Sequence, residues 1–323
     1  MTASTEETSS PSDTTPIRAG YIELGYVFAA IGAVLFSTKA VAIKLAYGEP
    51  VDAATLLALR MALSVPVYVV IGMLAVRDLG RQDKPLPSVK LCVQAALIGA
   101  LGYWFASYTD FVGLQFISAQ FERLILFTYP LFTVVFGALF FRQPMRLTAL
   151  AAMGVSYAGL MLIFVEKLES GGSHAAIGAG LVLAAALAFA FYQLFAKSVI
   201  TAMGPRLFTC IAMTGAAFGA FATFLAGHAP ADLVVSQRVF WLSVFLAIGA
   251  TVLPSFFLNA ALHRVSAQAN AAIGTLSPMV TIVLATIFLG ETLEPAGYVG
   301  AVLVLAGVGW FTLADSRRGR RPT

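Results

Sequence analysis

Apolar residues along this chain come in long runs, without the strict alternation of a half-buried strand. Ten such runs cover about 22–47, 53–76, 89–113, 118–141, 147–165, 177–201, 205–227, 238–262, 266–289 and 295–314, separated by short polar stretches. A helix that crosses a bilayer needs about 20 predominantly apolar residues. Only helices and closed barrels satisfy the backbone in lipid, and runs this long predict helices. The pattern therefore predicts an all-α integral membrane protein with ten transmembrane helices. Residues 1–20 differ: nine of the first 16 are Ser or Thr, joined by Glu6, Glu7 and Asp13. Such a tail cannot bury a core and is expected to be disordered. It lacks the charged-then-apolar start of a cleaved signal peptide. Residues 315–323 form a second, basic tail.

One stretch of the pattern occurs twice. Residues 117–164 align without a gap on 265–312, a shift of 148 positions. Ser118-Ala119-Gln120 meets Ser266-Ala267-Gln268, Pro130 meets Pro278, Thr133 meets Thr281, Phe140 meets Phe288, and Ala158-Gly159 meets Ala306-Gly307. Ten of 48 aligned positions are identical. Alanine and valine matches follow from composition; the shared proline, glutamine and glycine in one register carry more weight. Internal duplication in an apolar chain is a common plan of secondary transporters.

Charge orients the spans. With the N-terminus in the cytoplasm, the cytoplasmic side holds Arg18, Arg77, Arg81, Lys84, Lys90, Arg142, Arg146, Lys197, Arg206, Arg264, Arg317, Arg318, Arg320 and Arg321, and the outer side only Lys167 and Arg238. The outer loops instead carry Glu49, Asp52, Glu166, Glu169, Asp232, Glu291 and Glu294. This asymmetry places both termini in the cytoplasm. Five spans per half is an odd number, so the second half enters the membrane the other way up. The turn after span 4 is Arg142-Gln143-Pro144-Met145-Arg146, and its register mate is Gly290-Glu291-Thr292-Leu293-Glu294. Basic becomes acidic, as two inverted repeats require. The organisation expected is a tail at 1–20, five-helix repeats at 21–166 and 174–314, and the tail at 315–323.

Composition agrees with a membrane protein: 59% of residues are hydrophobic, 11% are charged, and the mean hydropathy is +0.87. The net charge of +4 lies in the cytoplasmic loops and C-tail. It is a topology anchor and not a nucleic-acid patch. Cys92 and Cys210 fall in apolar runs and are expected to be small buried residues. The three histidines, His174, His228 and His263, show no metal-ligand spacing, so neither a metal nor a cofactor is expected.

The ordered set of motifs resembles the EamA-type family of the drug/metabolite transporter superfamily, over about residues 22–314. The matching features are Leu35-Phe36-Ser37-Thr38-Lys39-Ala40-Val41-Ala42-Ile43-Lys44 in span 1, Leu59-Arg60 in span 2, and the Ser-Ala start with Pro130 in span 4. Pro278 and Leu289-Gly290-Glu291-Thr292-Leu293 close span 9. The resemblance implies a ten-helix permease with a central cavity between two five-helix halves. One departure is Gln143, where the family usually has a glutamate.

Six ionisable residues fall inside spans: Lys39, Lys44, Arg60, Asp110, Glu122 and Arg123. A charge at a helix centre costs about 2.5–3.5 kcal/mol, so each needs a partner, water or a route to the interface. Counting about 1.5 Å per residue places all six in the outer half, where they can meet in one vestibule. Four cations face two carboxylates, and the surplus suits a substrate carboxylate or phosphate. Arg60 and Lys39 lie deepest and lead as its ligands; Glu122 leads as a proton-coupled carboxylate. The bland readings are snorkelling for Lys44 and structural ion pairs for Glu122, Arg123 and Asp110. Tyr103 and Trp104 are expected to line an aromatic wall, or to pack. Asn259, Gln268 and Asn270 are expected to hydrogen-bond a solute, or other helices. Pro130 and Pro278 are expected to kink spans 4 and 9.

The function expected is a secondary carrier of a small organic solute, anionic or zwitterionic, exported across the cytoplasmic membrane by a monomer or homodimer with the lipid bilayer as its surroundings. The alternatives are a passive channel, a non-transporting scaffold, or an integral-membrane enzyme. For an enzyme the only hint is Gly154-Val155-Ser156-Tyr157-Ala158, which lacks the strand-turn-helix context of a nucleophile elbow.

Overall fold

The computed structural model describes residues 15–83, 85–141, 147–265, 270, 273–274, 276–292 and 295–316. These form helices and turns, with no strand among the described residues. The helices are α1 (Thr15–Ala46), α2 (Ala53–Arg81), α3 (Val89–Gly99), α4 (Ala106–Phe116), α5 (Ala119–Leu126), α6 (Tyr129–Phe141), α7 (Leu147–Met203), α8 (Pro205–Leu225), α9 (Gln237–Ala247), α10 (Leu253–Arg264), α11 (Leu276–Leu289) and α12 (Pro295–Ser316). Among the described residues, seven helical stretches are long and apolar enough to cross a membrane: Tyr21–Ala46, Ala53–Arg81, Val89–Phe116, Ala119–Phe140, Ser173–Met203, Pro205–Leu225 and Gln237–Arg264. Ser277–Leu289 and Gly297–Gly307 are shorter apolar helices. Helix α1 starts at Thr15, inside the stretch expected to be a disordered tail; residues 1–14 and 317–323 lie outside the described residues.

Local chemistry sets the boundaries. Ser88, Ser118 and Ser236 cap α3, α5 and α9, each side chain accepting from an amide three residues on. Gly290 ends α11 with φ +65°, a left-handed conformation that glycine adopts at no steric cost. Within the stretch expected as span 4, the helix breaks at Phe127-Thr128, and Pro130 enters α6 as its second residue. Proline tolerates that place because its missing N–H has no intrahelical acceptor there. Pro278 sits near the start of α11 in the same way.

Two π-helical turns interrupt the stretches expected as spans 3 and 8. One is Ala100–Phe105, between α3 and α4; the other is Ile248–Val252, between α9 and α10. They begin 148 positions apart, the register of the sequence repeat. In the second, Pro254 has no N–H for the carbonyl of Ala250, which favours a wider turn. The same register recurs where α7 crosses α12. A Cβ added to Gly159 would lie 2.5 Å from the Gly300 carbonyl oxygen, and one on Gly307 would lie 2.3 Å from Ser156 Oγ. Small residues let the two backbones approach this closely.

The structure differs from expectation at 147–203. Two spans separated by a polar loop were expected; the helical hydrogen bonding instead runs unbroken as α7. Tyr157 and Met161 line the same apolar cavity as Ala176, Ala179, Gly180 and Leu183. A straight helix would put Tyr157 and Leu183 about 39 Å apart. The helix therefore bends between Met161 and Ala176.

The two halves of the chain interleave. Helix α1 packs on α10 and α11, α2 and α3 on α8, and α4 on α7. At the α1–α2 turn, Asp52 caps α2. Its Oδ1 accepts from the amides of Ala54 (2.7 Å) and Thr55 (2.9 Å), and its Oδ2 accepts from Thr55 Oγ1 (2.9 Å). His228 Nε2 also lies 2.9 Å from Oδ2. Partial burial pushes this carboxyl upward, but the Thr55, His228 and Ala54 contacts outweigh it and hold Asp52 below the ordinary carboxylate value. Its stabilisation is therefore complete above the unfolded value of about 3.9 and lost as pH falls through the lower native value. Asp52→Ala is expected to cost about 1 kcal/mol at neutral pH. Thermal melts of both proteins as a function of pH check this: the gap should narrow as pH falls through the native value of Asp52.

Candidate functional site

A cavity lies where the two π-turns face each other. Gly102 and Tyr103 of the first and Ala250 and Thr251 of the second line it, with Phe36 and Lys39 of α1, Arg60 of α2, Ser107 and Asp110 of α4, and Phe189 and Gln193 of α7. Leu126, Phe127 and Tyr129 at the α5–α6 break contribute, as do Gly274 and Ser277 beside the start of α11. The cavity volume is about 50 Å³. That is room for a few waters. The walls have closed to narrow clefts, and an organic solute requires them to part.

Five of the six intramembrane charges meet at this cavity or directly behind it. Lys39 Nζ donates to Asp110 Oδ2 at 2.6 Å, with both side chains buried. Arg123 Nε lies 3.5 Å from Glu122 Oε2 and both residues are 0% exposed. Among the described residues no cation or amide donates to either Glu122 oxygen, whose neighbour is the Asp110 carboxyl, and no guanidinium nitrogen of Arg123 has an acceptor in hydrogen-bonding geometry. Arg60 is 2% exposed and has no carboxylate partner among the described residues. Its Nη2 donates to the Tyr103 carbonyl oxygen at 3.3 Å, while its Nε has no acceptor among the described residues. Two aromatic rings hold the cations in place. Phe36 lies 4.7 Å from Lys39 Nζ and 5.4 Å from the Arg123 guanidinium; Phe111 lies 4.9 Å from the Arg60 guanidinium. Such cation–π contacts suit desolvated guanidinium groups.

Behind the cavity runs a hydrogen-bonded network. The Tyr192 hydroxyl donates to Asn259 Oδ1 (2.7 Å) and lies 3.1 Å from the Tyr103 hydroxyl; Asn259 Nδ2 donates to Thr209 Oγ1 (2.9 Å). It fixes Tyr103, whose carbonyl in turn steadies Arg60. Trp104 points elsewhere: its Nε1 donates to Thr223 Oγ1 on α8 (2.9 Å), and its indole packs where Gly219 leaves space. Asn270 is 2% exposed and its Oδ1 has no partner among the described residues. Gln268 lies outside the described residues.

The structure thus unites Lys39, Arg60, Tyr103 and Asp110 at one cavity, places Glu122 and Arg123 behind it, and sets Trp104 and Asn259 against other helices. Sequence reasoning missed the π-turns, the shelf made by Phe111, and the work of two lysines. Lys44 does not snorkel: its Nζ donates to the carbonyls of Leu114 (3.2 Å) and Ile117 (3.1 Å), at the end of α4. Lys197 does the same for Leu262 and Val265, at the end of α10. Those acceptors are the register mates of Leu114 and Ile117. A lysine near the end of the first apolar run in each half is the signal that could have shown it.

The profile of the EamA-like transporter family matches residues 23–165 and again 176–313. Among curated proteins, the "Uncharacterized transporter YcbK" of Bacillus subtilis is 27% identical over 311 residues, covering 91% of this chain and 95% of its own. The "Probable amino-acid metabolite efflux pump" of Salmonella typhimurium is 29% identical, covering 61% of this chain and 69% of its own. The "Probable terminal-alkyne amino-acid exporter" of Streptantibioticus cattleyicolor is 28% identical, covering 76% and 78%. A crystal structure 17% identical to this chain covers 95% of it and 100% of its own chain with a TM-score of 0.66, a likeness of fold alone.

Proposed function

The chain belongs to the EamA-like transporter family, and on that premise we propose that it is a secondary carrier that exports a small zwitterionic organic solute, such as an amino acid or another metabolite, across the cytoplasmic membrane by alternating access. The observation that carries this reading is a pair of polar atoms at the cavity. Among the described residues Arg60 offers a guanidinium nitrogen with no acceptor, and Asp110 offers an oxygen whose neighbour is the Glu122 carboxyl rather than a cation. A carboxylate on the first and an ammonium on the second satisfy both, and such charge-assisted bonds are the strong ones. The names of the Salmonella and Streptantibioticus relatives, which concern amino-acid compounds and their efflux or export, favour the same class.

The carrier architecture is ten helices in two inverted five-helix repeats, 21–166 and 174–314, with both termini in the cytoplasm. Its support is the double family match, the shared register of the π-turns and of the carbonyls that Lys44 and Lys197 tie, and the reversal of turn charge. Family and relatives point to transport and not to enzyme chemistry. Glu122, buried behind Asp110, is the proton-coupling group in this reading.

A competition panel tests it. Purified protein in proteoliposomes should take up a labelled amino acid saturably, and unlabelled amino acids should compete better than dicarboxylates or cationic drugs. Glu122→Gln should abolish the response to a pH gradient while sparing exchange. Competition by cationic drugs alone would reject the Arg60 site, and flux linear in concentration would favour the passive channel.

A further inference from the structure

The geometry points to Lys44 and Glu291 as a two-charge latch that holds the α4–α5 turn closed over the cavity, on the face that the loop charges assign to the outside. The chain reverses between α4 and α5 within a few residues. Lys44, on α1, donates to the last carbonyls of α4, those of Leu114 (3.2 Å) and Ile117 (3.1 Å). Glu291, just past α11, does the converse at the start of α5. Its Oε1 accepts from the Ala119 amide (2.9 Å) and its Oε2 from the Gln120 amide (3.0 Å). Gln120 returns the contact, donating from Nε2 to the Glu291 carbonyl oxygen (3.1 Å) and to Thr286 Oγ1 (3.2 Å). A cation thus meets a helix C-terminus and an anion meets a helix N-terminus, each the charge that the helix dipole favours.

The latch joins the two halves of the chain, since Lys44 and the turn belong to the first and Glu291 to the second. It also sits above the site. Leu126, which lines the cavity, lies seven residues along the chain from Ala119, about 10 Å by helical rise. Lys39 lies about 8 Å along α1 from Lys44 by the same rise. The Lys39–Asp110 and Glu122–Arg123 pairs fill the layer between. Opening this face must separate α5 from the end of α11, which breaks both bonds to Glu291. The register mate of Glu291 is the neutral Gln143, so only the α4–α5 turn has an acid at this sequence position.

This inference rests on the carrier reading and on its orientation, and the experiment separates the three. Ser107, at the cavity, is changed to Cys after the native Cys92 and Cys210 are replaced. A membrane-impermeant maleimide is added outside right-side-out vesicles, or is trapped inside them. Glu291→Gln keeps the shape and one acceptor, and Lys44→Met keeps the stem. Each is expected to raise labelling from outside about tenfold, because the closed state loses a charge–helix contact. Lys197→Met, which frees the other turn, should not raise it. Unchanged labelling in both latch variants, or an equal rise in Lys197→Met, overturns the latch. A rise seen only with reagent inside keeps the latch and overturns the orientation. A rise from outside in a protein that moves no solute upholds the latch and rejects the carrier.

Discussion

Arg60→Ala is expected to weaken solute binding by at least about thirtyfold while the protein still folds. Removing one partner of a buried, hydrogen-bonded charge pair costs about 2–5 kcal/mol, and each 1.4 kcal/mol is tenfold in affinity. The fold should survive because among the described residues Arg60 has no carboxylate to strand: its partners there are the Tyr103 carbonyl and the Phe111 ring. Arg60→Lys keeps the charge and loses the planar fork, so it should recover part of the affinity. Solute-dependent thermal shift in detergent checks both. Equal affinity in wild type and Arg60→Ala would remove Arg60 from the site.

The second large effect concerns stability. Asp110→Asn leaves Lys39 cationic, 3% exposed and without its carboxylate. Breaking a buried pair from one side costs about 3–5 kcal/mol, whereas replacing both partners with apolar groups of similar volume is often neutral. Lys39→Met with Asp110→Leu should therefore melt above Asp110→Asn alone and close to wild type. If the double variant were worse than either single one, the pair would not be the stabilising unit described. Of the two cations expected to bind a solute, Lys39 is thus already engaged and Arg60 remains.

The repeat was legible because it is written in identities: Pro130 and Pro278, or Gly159 and Gly307, keep one register however the helices pack. The meeting of Lys39, Arg60 and Asp110 at one cavity was legible too, since helical rise sets them at similar heights. Their pairing was not. Whether Asp110 takes Lys39 or Arg60 depends on helix rotation, which the chain's apolar runs leave open. The π-turns have no residue signature in the first half, where the extra residue is absorbed without proline. The acceptors of Lys44 were not legible, being backbone carbonyls 70 and 73 positions away and identical in chemistry to every other carbonyl; only the recurrence of a lysine in each half hinted at its role. The continuity of α7 escaped notice because a polar stretch between apolar runs suggests a loop, although Glu, Lys and Ala favour a helix.

Counterflow tests the carrier most directly. Proteoliposomes loaded with unlabelled amino acid are diluted into a trace of labelled amino acid at equal pH on both sides. A carrier that alternates access returns loaded faster than empty, so the label should overshoot its equilibrium level transiently and then decline. The overshoot should vanish in Arg60→Ala. A smooth rise to equilibrium that ignores the internal amino acid would contradict alternating access and leave a passive pathway in its place.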